Sequence, residues 1–167
     1  MSKSLIIFLF VVTACLAACN GQAGGYMAAS SISKDGFARN EETVRPLDGQ
    51  VVKLWGYVDY SNIYGDDSAK AILGDWWSGA GPDASTWRFN LKAHAGDATG
   101  KSFAVTVPND EGRDELLRRF AAAVQAQQPT KVFLTGMLDT FDAPTNNGTL
   151  TGLTMEVQSS GDIIVEE

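Results

Sequence analysis

Two stretches of strict alternation, Trp87-Arg88-Phe89-Asn90-Leu91-Lys92 and Phe103-Ala104-Val105-Thr106-Val107, flank a Gly-containing turn from His94 to Gly100. At a period of two, Trp87, Phe89 and Leu91 share one face while Arg88, Asn90 and Lys92 share the other. The span from Trp87 to Val107 therefore reads as a hairpin with one apolar face. A lone hairpin is not stable in water, so that face demands more strands or a helix to cover it. The rest of the chain must supply them.

It does so on both sides. Upstream, Val51 to Tyr60 is rich in β-branched and aromatic residues with Gly56 at its centre, the signature of a strand carrying a bulge or sharp coil. Downstream, Pro108 stops the hairpin, Asn109 or Asp110 can cap a helix, and Leu116, Leu117, Phe120, Ala121 and Val124 recur on one helical stripe until Pro129. Val132 to Asp139 reads as a strand, again with a central glycine, Gly136. A turn-rich loop from Asp142 to Gly148 leads into a strand from Leu150 to Val157, and Ile163-Ile164-Val165 adds a short final one. Short antiparallel strands in this order close most readily into a small barrel, with the helix plugging one end.

The amino terminus reads differently. Lys3 precedes the apolar run Leu5 to Val12, which is too short to span a bilayer at ~20 residues but suits a secretory leader. Leu16-Ala17-Ala18-Cys19 resembles the lipobox of bacterial lipoproteins. That resemblance implies cleavage before Cys19, a diacylglycerol on its thiol and acylation of the new amine. Val12-Thr13-Ala14-Cys15 fits a looser lipobox, and a plain secretory cut between Ala17 and Ala23 is the third reading. With Asn20 following the cysteine, the resemblance implies delivery to the outer membrane, facing the periplasm. Residues 1–18 are thus expected to be a signal peptide, and residues 19–48 a tether and amino-terminal arm. Asn20 to about Ser33 is expected to be flexible, reaching ~20 Å as a coil. From Ser33 to Leu47 a short helix and an extended arm are both open, with Phe37, Val44 and Leu47 able to pack.

Residues 49–167 are expected to form the folded unit. Their strand and helix order resembles the OB-fold, whose single helix falls between strands three and four. Lipobox, tether and the entering sequence Gly49-Gln50-Val51-Val52-Lys53-Leu54 together resemble bacterial lipoproteins carrying a tRNA-anticodon-binding-like OB domain. The expected fold class is mainly β: a small five-stranded OB-like Greek-key barrel with one helix between strands three and four. The long first loop, Ser61 to Ser85, departs from that pattern.

Chemistry is scarce. Both cysteines precede residue 20, so processing leaves no free thiol and no disulfide. His94 is the single imidazole and sits in a turn, with no second histidine for a metal site. Asp75-Trp76-Trp77-Ser78-Gly79 lacks the first glycine of a nucleophile elbow. Neither Gly65-Asp66-Asp67-Ser68 nor Asp139 to Asp142 has calcium-loop spacing. Gly79-Ala80-Gly81 runs into Pro82 and reads as a turn, while the sequon Asn147-Gly148-Thr149 has no force in a bacterial lipoprotein. No enzymatic activity, metal or cofactor is expected.

The aromatic side chains point elsewhere. Trp55, Tyr57, Trp87 and Phe89 are expected in the core, but Tyr64, Trp76 and Trp77 occupy a polar, Gly-rich loop. Either the loop folds over the barrel and buries them, or they line a binding surface. By resemblance, OB-folds bind along strands two and three, between the first loop and the loop joining strands four and five. Here those positions are Arg88, Asn90, Lys92 and Thr106, flanked by Tyr64, Trp76, Trp77, Asn146 and Asn147. With 13 basic against 20 acidic residues, the chain repels a phosphate backbone. The expected function is a membrane-anchored binding or envelope-structural module. Its partners are the membrane, through lipid, and envelope proteins or saccharides. The second reading is an oligosaccharide- or oligonucleotide-binding protein using the same aromatics and strand.

Overall fold

The computed structural model describes residues 24–166; the leader, Cys19 and residues 20–23 lie outside them. Five long strands carry the architecture: β4 (Gln50–Tyr64), β5 (Thr86–Lys92), β6 (Ser102–Pro108), β7 (Lys131–Thr145) and β8 (Gly148–Glu156). Every one of them pairs with two others. β4 lies between β5 and β7, β5 pairs with β6, and β7 pairs with β8, all antiparallel. A parallel seam of three residue pairs, Ala104–Thr154 to Thr106–Glu156, joins β6 to β8 and completes a ring. The seam is short, so the ring stops just shy of a full barrel. The chain is mainly β, and its ring is consistent with an OB-like fold.

The hairpin expected from alternation is present, with Trp87 opposite Val107, Phe89 opposite Val105 and Leu91 opposite Phe103. All six side chains are buried inside the ring. Helix α4 (Arg113–Gln125) lies between the third and fourth ring strands. Its Leu116, Leu117, Phe120 and Ala121 are buried. Phe120 closes the interior by meeting Trp87, Phe89 and Tyr60 edge-on at 6.2, 5.4 and 6.4 Å between ring centroids. Burying a side chain of this size stabilises the fold by ~2–3 kcal/mol.

Gly56 and Gly136 serve close approach. A Cβ on Gly56 would sit 2.8 Å from the Lys92 carbonyl oxygen and 2.9 Å from Leu91 Cγ. One on Gly136 would lie 3.0 Å from both the Glu156 carbonyl carbon and Val157 Cγ1, with the carbonyl oxygen nearer still. The irregularity expected at Gly56 falls instead between Asp59 and Ile63, where β4 slips against Asn90 and Phe89 of β5.

The amino-terminal segment corrects the expectation of a flexible tether running to Ser33. β1 (Met27–Ala28) pairs in parallel with Leu54 and Trp55 of β4, and α1 (Ala29–Ile32) buries Ala29 and Ile32. β2 (Ser33–Lys34) and β3 (Phe37–Ala38) form a small hairpin, and Phe37 pairs with Gly152 of β8. α2 (Glu41–Val44) follows, capped by Asn40, with Val44 fully buried. Both options for this stretch, short helix and extended arm, are therefore realised. Two-residue strands are held by backbone pairing, which leaves no side-chain period to read.

Two loops also differ from expectation. The turn-rich stretch Asp142 to Gly148 is mostly ladder: β7 and β8 stay paired out to Thr145–Gly148, leaving Asn146 and Asn147 as the turn. β4 runs on to Tyr64, and the first loop then contains α3 (Asp67–Leu73) and a 3₁₀ turn at Gly74–Trp76. β9 (Ile163–Val165) pairs with the opening residues of β7.

Candidate functional site

A depression of about 500 Å³ lies where the end of β4 meets the first loop. Its walls include Tyr60, Tyr64, Trp76 and Trp77, with Asp59 and Lys92 among the polar residues. The loop reaches this position through α3. Asp66 caps that helix by accepting from the Ala69 amide at 2.9 Å, and Arg113 of α4 holds the cap with Nη1 donating to Asp66 at 2.8 Å. Ala69 and Leu73 bury against the core, so the loop is bolted to the ring at its start.

The two adjacent tryptophans then part company. Trp77 turns inward: its Nε1 donates to the Gly65 carbonyl at 3.0 Å, its ring packs on the core, and Lys70 Nζ lies 4.8 Å from its centroid. Trp76 stays 43% exposed on the rim, meeting Tyr60 edge-on at 6.0 Å. Burial beneath the loop thus holds for Trp77, whereas Trp76 stays at the surface. Tyr60 is fixed by its hydroxyl, which donates to the Phe120 carbonyl at 2.9 Å and bonds to the Thr130 hydroxyl. Burial pushes the Tyr60 phenol up to about 12, against a smaller lowering by Thr130.

Two of the three charged groups in the walls, Asp59 and Lys92, are already engaged, while Asp75 is exposed. Asp59 is buried and accepts from the Ser61 amide and hydroxyl, Asn62 Nδ2, the Gly100 amide and the Ser102 hydroxyl. Burial raises its pKa, but these donors outweigh it and leave the carboxyl below the usual carboxylate value. Lys92 Nζ donates to the Ala95 and Asp97 carbonyls at 3.0 and 3.3 Å, which ties the ammonium to the β5–β6 turn. Of the depression's polar surface, what remains for a ligand is hydroxyl and amide together with the exposed Asp75 carboxylate.

The other expected site residues separate into two places. Arg88 stacks its guanidinium 4.4 Å from the Tyr64 centroid. Asn90 donates to Ser102 Oγ at 3.3 Å, and Thr106 pairs with Arg88. These three stand on the outer face of β5 and β6, beside the depression but outside its lining. Asn146 and Asn147 sit exposed at the tip of the β7–β8 hairpin and do not line it either, because pairing out to Thr145 carries them along the ladder. Sequence reasoning missed Tyr60, Asp59 and Ser61 as wall residues. The polar run Asp59-Tyr60-Ser61-Asn62 ending an apolar strand was the available signal, since it marks where pairing slips. His94 lies in the exposed β5–β6 turn, its amide donating to Asp97 Oδ2 at 2.8 Å.

No protein-family model matches the chain, and no curated protein matches it. Among solved structures there is a distant match to an aspartyl tRNA synthetase from Entamoeba histolytica, at 15% identity and a TM-score of 0.38. It covers 77% of this chain and 21% of that one, so the chain spans about a fifth of the synthetase's length.

Proposed function

We propose that the chain is an envelope lipoprotein, anchored through lipid on Cys19, whose OB-like domain is a binding module with its site at the first-loop depression. The ring order, the parallel seam between third and fifth ring strands and the placement of α4 support reading the domain as an OB-type Greek-key barrel. Barrels of that type bind ligands on the face of strands two and three and in the adjoining loops. The observation that carries the binding reading is Trp76, a large aromatic ring held 43% exposed beside Tyr60 while its neighbour Trp77 is tucked away.

Binding suits these walls better than catalysis. Asp59 is saturated with donors, and His94 stands in the exposed β5–β6 turn, not among the depression's lining. A saccharide suits them better than an oligonucleotide. Stacking on Trp76 and Tyr64 serves either ligand, but single-stranded nucleic acid also needs free cations, and here Lys92 and Arg88 are committed to carbonyls and to Tyr64.

Titrating tryptophan fluorescence with glycans and with oligonucleotides tests the site. A shift with glycans that Trp76→Ala abolishes is expected. Absence of any shift, together with recovery of a specific envelope protein by cross-linking, would make the domain a partner-binding module instead. Labelling with an alkyne fatty acid tests the anchor: the wild type should label and Cys19→Ser should not.

A further inference from the structure

A second aromatic surface lies on the outer side of the ring, on the amino-terminal half of β4. Strand pairing sets Ala28, Trp55, Phe133 and Ile164 side by side across β1, β4, β7 and β9. Tyr26, just ahead of β1, meets Phe133 edge-on at 5.3 Å, and Tyr57 meets Trp55 edge-on at 6.2 Å. Two rows toward the start of β4, past Lys53 and Thr135, Val51 is 72% exposed opposite Met137, and Ile164 is 55% exposed at the sheet edge. The rings are half-buried against one another, so the face is neither core nor ordinary polar surface.

Two lysines complete it. Lys131 Nζ lies 4.9 Å from the Trp55 and Phe133 centroids, and Lys53 Nζ lies 5.7 Å from that of Tyr26. Both ammonium groups thus sit over ring faces as cation–π contacts and edge the aromatic surface with positive charge. Tryptophan and tyrosine with lysine beside them are the residues enriched at the bilayer interface, where one end of the side chain is apolar and the other wet.

We infer that this face lies on the bilayer to which the chain is tethered, with Trp55, Phe133, Tyr26 and Ile164 seated among the lipid headgroups. The inference rests on the lipoprotein reading above and extends it from the anchor to the folded domain. Its occupant is set by where the described chain begins. Tyr26 belongs to the face itself, and seven residues from Cys19 to Tyr26 span at most ~25 Å at 3.6 Å per residue. A lipid on Cys19 therefore holds this face, before any other part of the domain, within reach of the membrane. With a net charge of −7 on the chain, and with Lys131 paired to Glu166 at 2.7 Å, seating proceeds through the rings and depends little on lipid charge or salt.

The test uses the full lipidated chain in vesicles of phosphatidylethanolamine and phosphatidylglycerol containing brominated acyl chains, with tryptophan emission as the readout. Wild type is expected to be quenched at low and high salt alike. Trp55→Phe should lose most of the quenching, whereas Trp76→Phe should keep it. Ile164→Asp, at an exposed position that leaves the core untouched, should reduce quenching at least twofold. Unquenched wild type that carries its acyl chains and co-floats with the vesicles would overturn the inference alone and leave the anchor standing. So would quenching that follows Trp76, or a dimer cross-linked through Trp55→Cys. Finding no acyl group on Cys19 in the same sample by mass spectrometry would remove both.

Discussion

Asp59 and Ser102 stand on strands that are not neighbours, β4 and β6, yet the Ser102 hydroxyl donates to Asp59 Oδ2 at 2.7 Å across the intervening β5. The same carboxylate takes the Gly100 amide at 3.0 Å, so it ties the slipped end of β4 to the tip of the β5–β6 hairpin. Asp59→Ala leaves five donor groups facing a methyl and should cost ~2–4 kcal/mol. Asp59→Asn keeps one acceptor and should cost about half as much. Because the folded carboxyl titrates below its ordinary value, its contribution is present at neutral pH and fades as pH falls through the folded value. Urea melts of wild type and Asp59→Asn should converge toward acid pH; parallel curves would contradict this.

Gly136→Ala and Gly56→Ala test close approach within the ring. In each case the added Cβ meets backbone of an adjacent strand, which cannot rotate aside. A loss of ~2–3 kcal/mol is expected at each, the overpacking range. Gly96→Ala, where a Cβ meets nothing within 4 Å, should change stability by under ~0.5 kcal/mol and serves as the control. Thermal denaturation of the three variants decides the matter.

Arg113 is the bolt between α4 and the first loop, reaching Asp66 at 2.8 Å and Asp114 at 2.7 Å with its side chain only 11% exposed. The Ala69 amide, the Ser68 hydroxyl and Arg113 together hold Asp66 down to about 2. A lowered carboxyl stabilises the fold fully above its ordinary value near 4, and that stabilisation is lost between about pH 4 and pH 2. Arg113→Ala should raise the Asp66 value, seen by NMR titration, and flatten this part of the acid profile. It should also speed hydrogen exchange in α3 more than in β5, since α3 depends on the bolt and β5 does not.

Tyr60 sets the alkaline limit. Its phenol is raised to about 12 by burial, so the neutral form is favoured in the folded state. Its contribution is complete below pH 10 and is lost as pH climbs toward 12. Absorbance at the phenolate band should therefore show one late-titrating tyrosine that disappears in Tyr60→Phe. The variant should also lose ~1 kcal/mol at neutral pH, from the bond to the Phe120 carbonyl.

How much of this was legible in the sequence depended on how local each determinant is. The β5–β6 hairpin and the α4 stripe rest on periodicity within a dozen residues, and both appear where alternation and helical spacing put them. The packed segment from Met27 to Ile32 was invisible, because a two-residue strand leaves no period and Ala29 is buried by its location. α3 could have been found: Asp66 followed by Asp67-Ser68-Ala69-Lys70-Ala71-Ile72-Leu73 is a capped helical run, masked by the flanking glycines. At the depression, Tyr64, Trp76, Trp77 and Lys92 could be picked out as polar-loop or outward-facing residues. The role of Asp59 could not, since its partners Gly100 and Ser102 lie more than forty positions away.

The three-pair junction between β6 and β8 is the briefest in the ring. A hoop under load parts at its weakest rivet, and thermal agitation acts on every rivet at once. Opening should therefore begin at Ala104 to Thr106, turning the closed hoop into a curled ribbon while β4 and β7, knit along eight residue pairs, stay together. Amide exchange would then fall into two tiers, and the quick tier would mark where this molecule first comes undone.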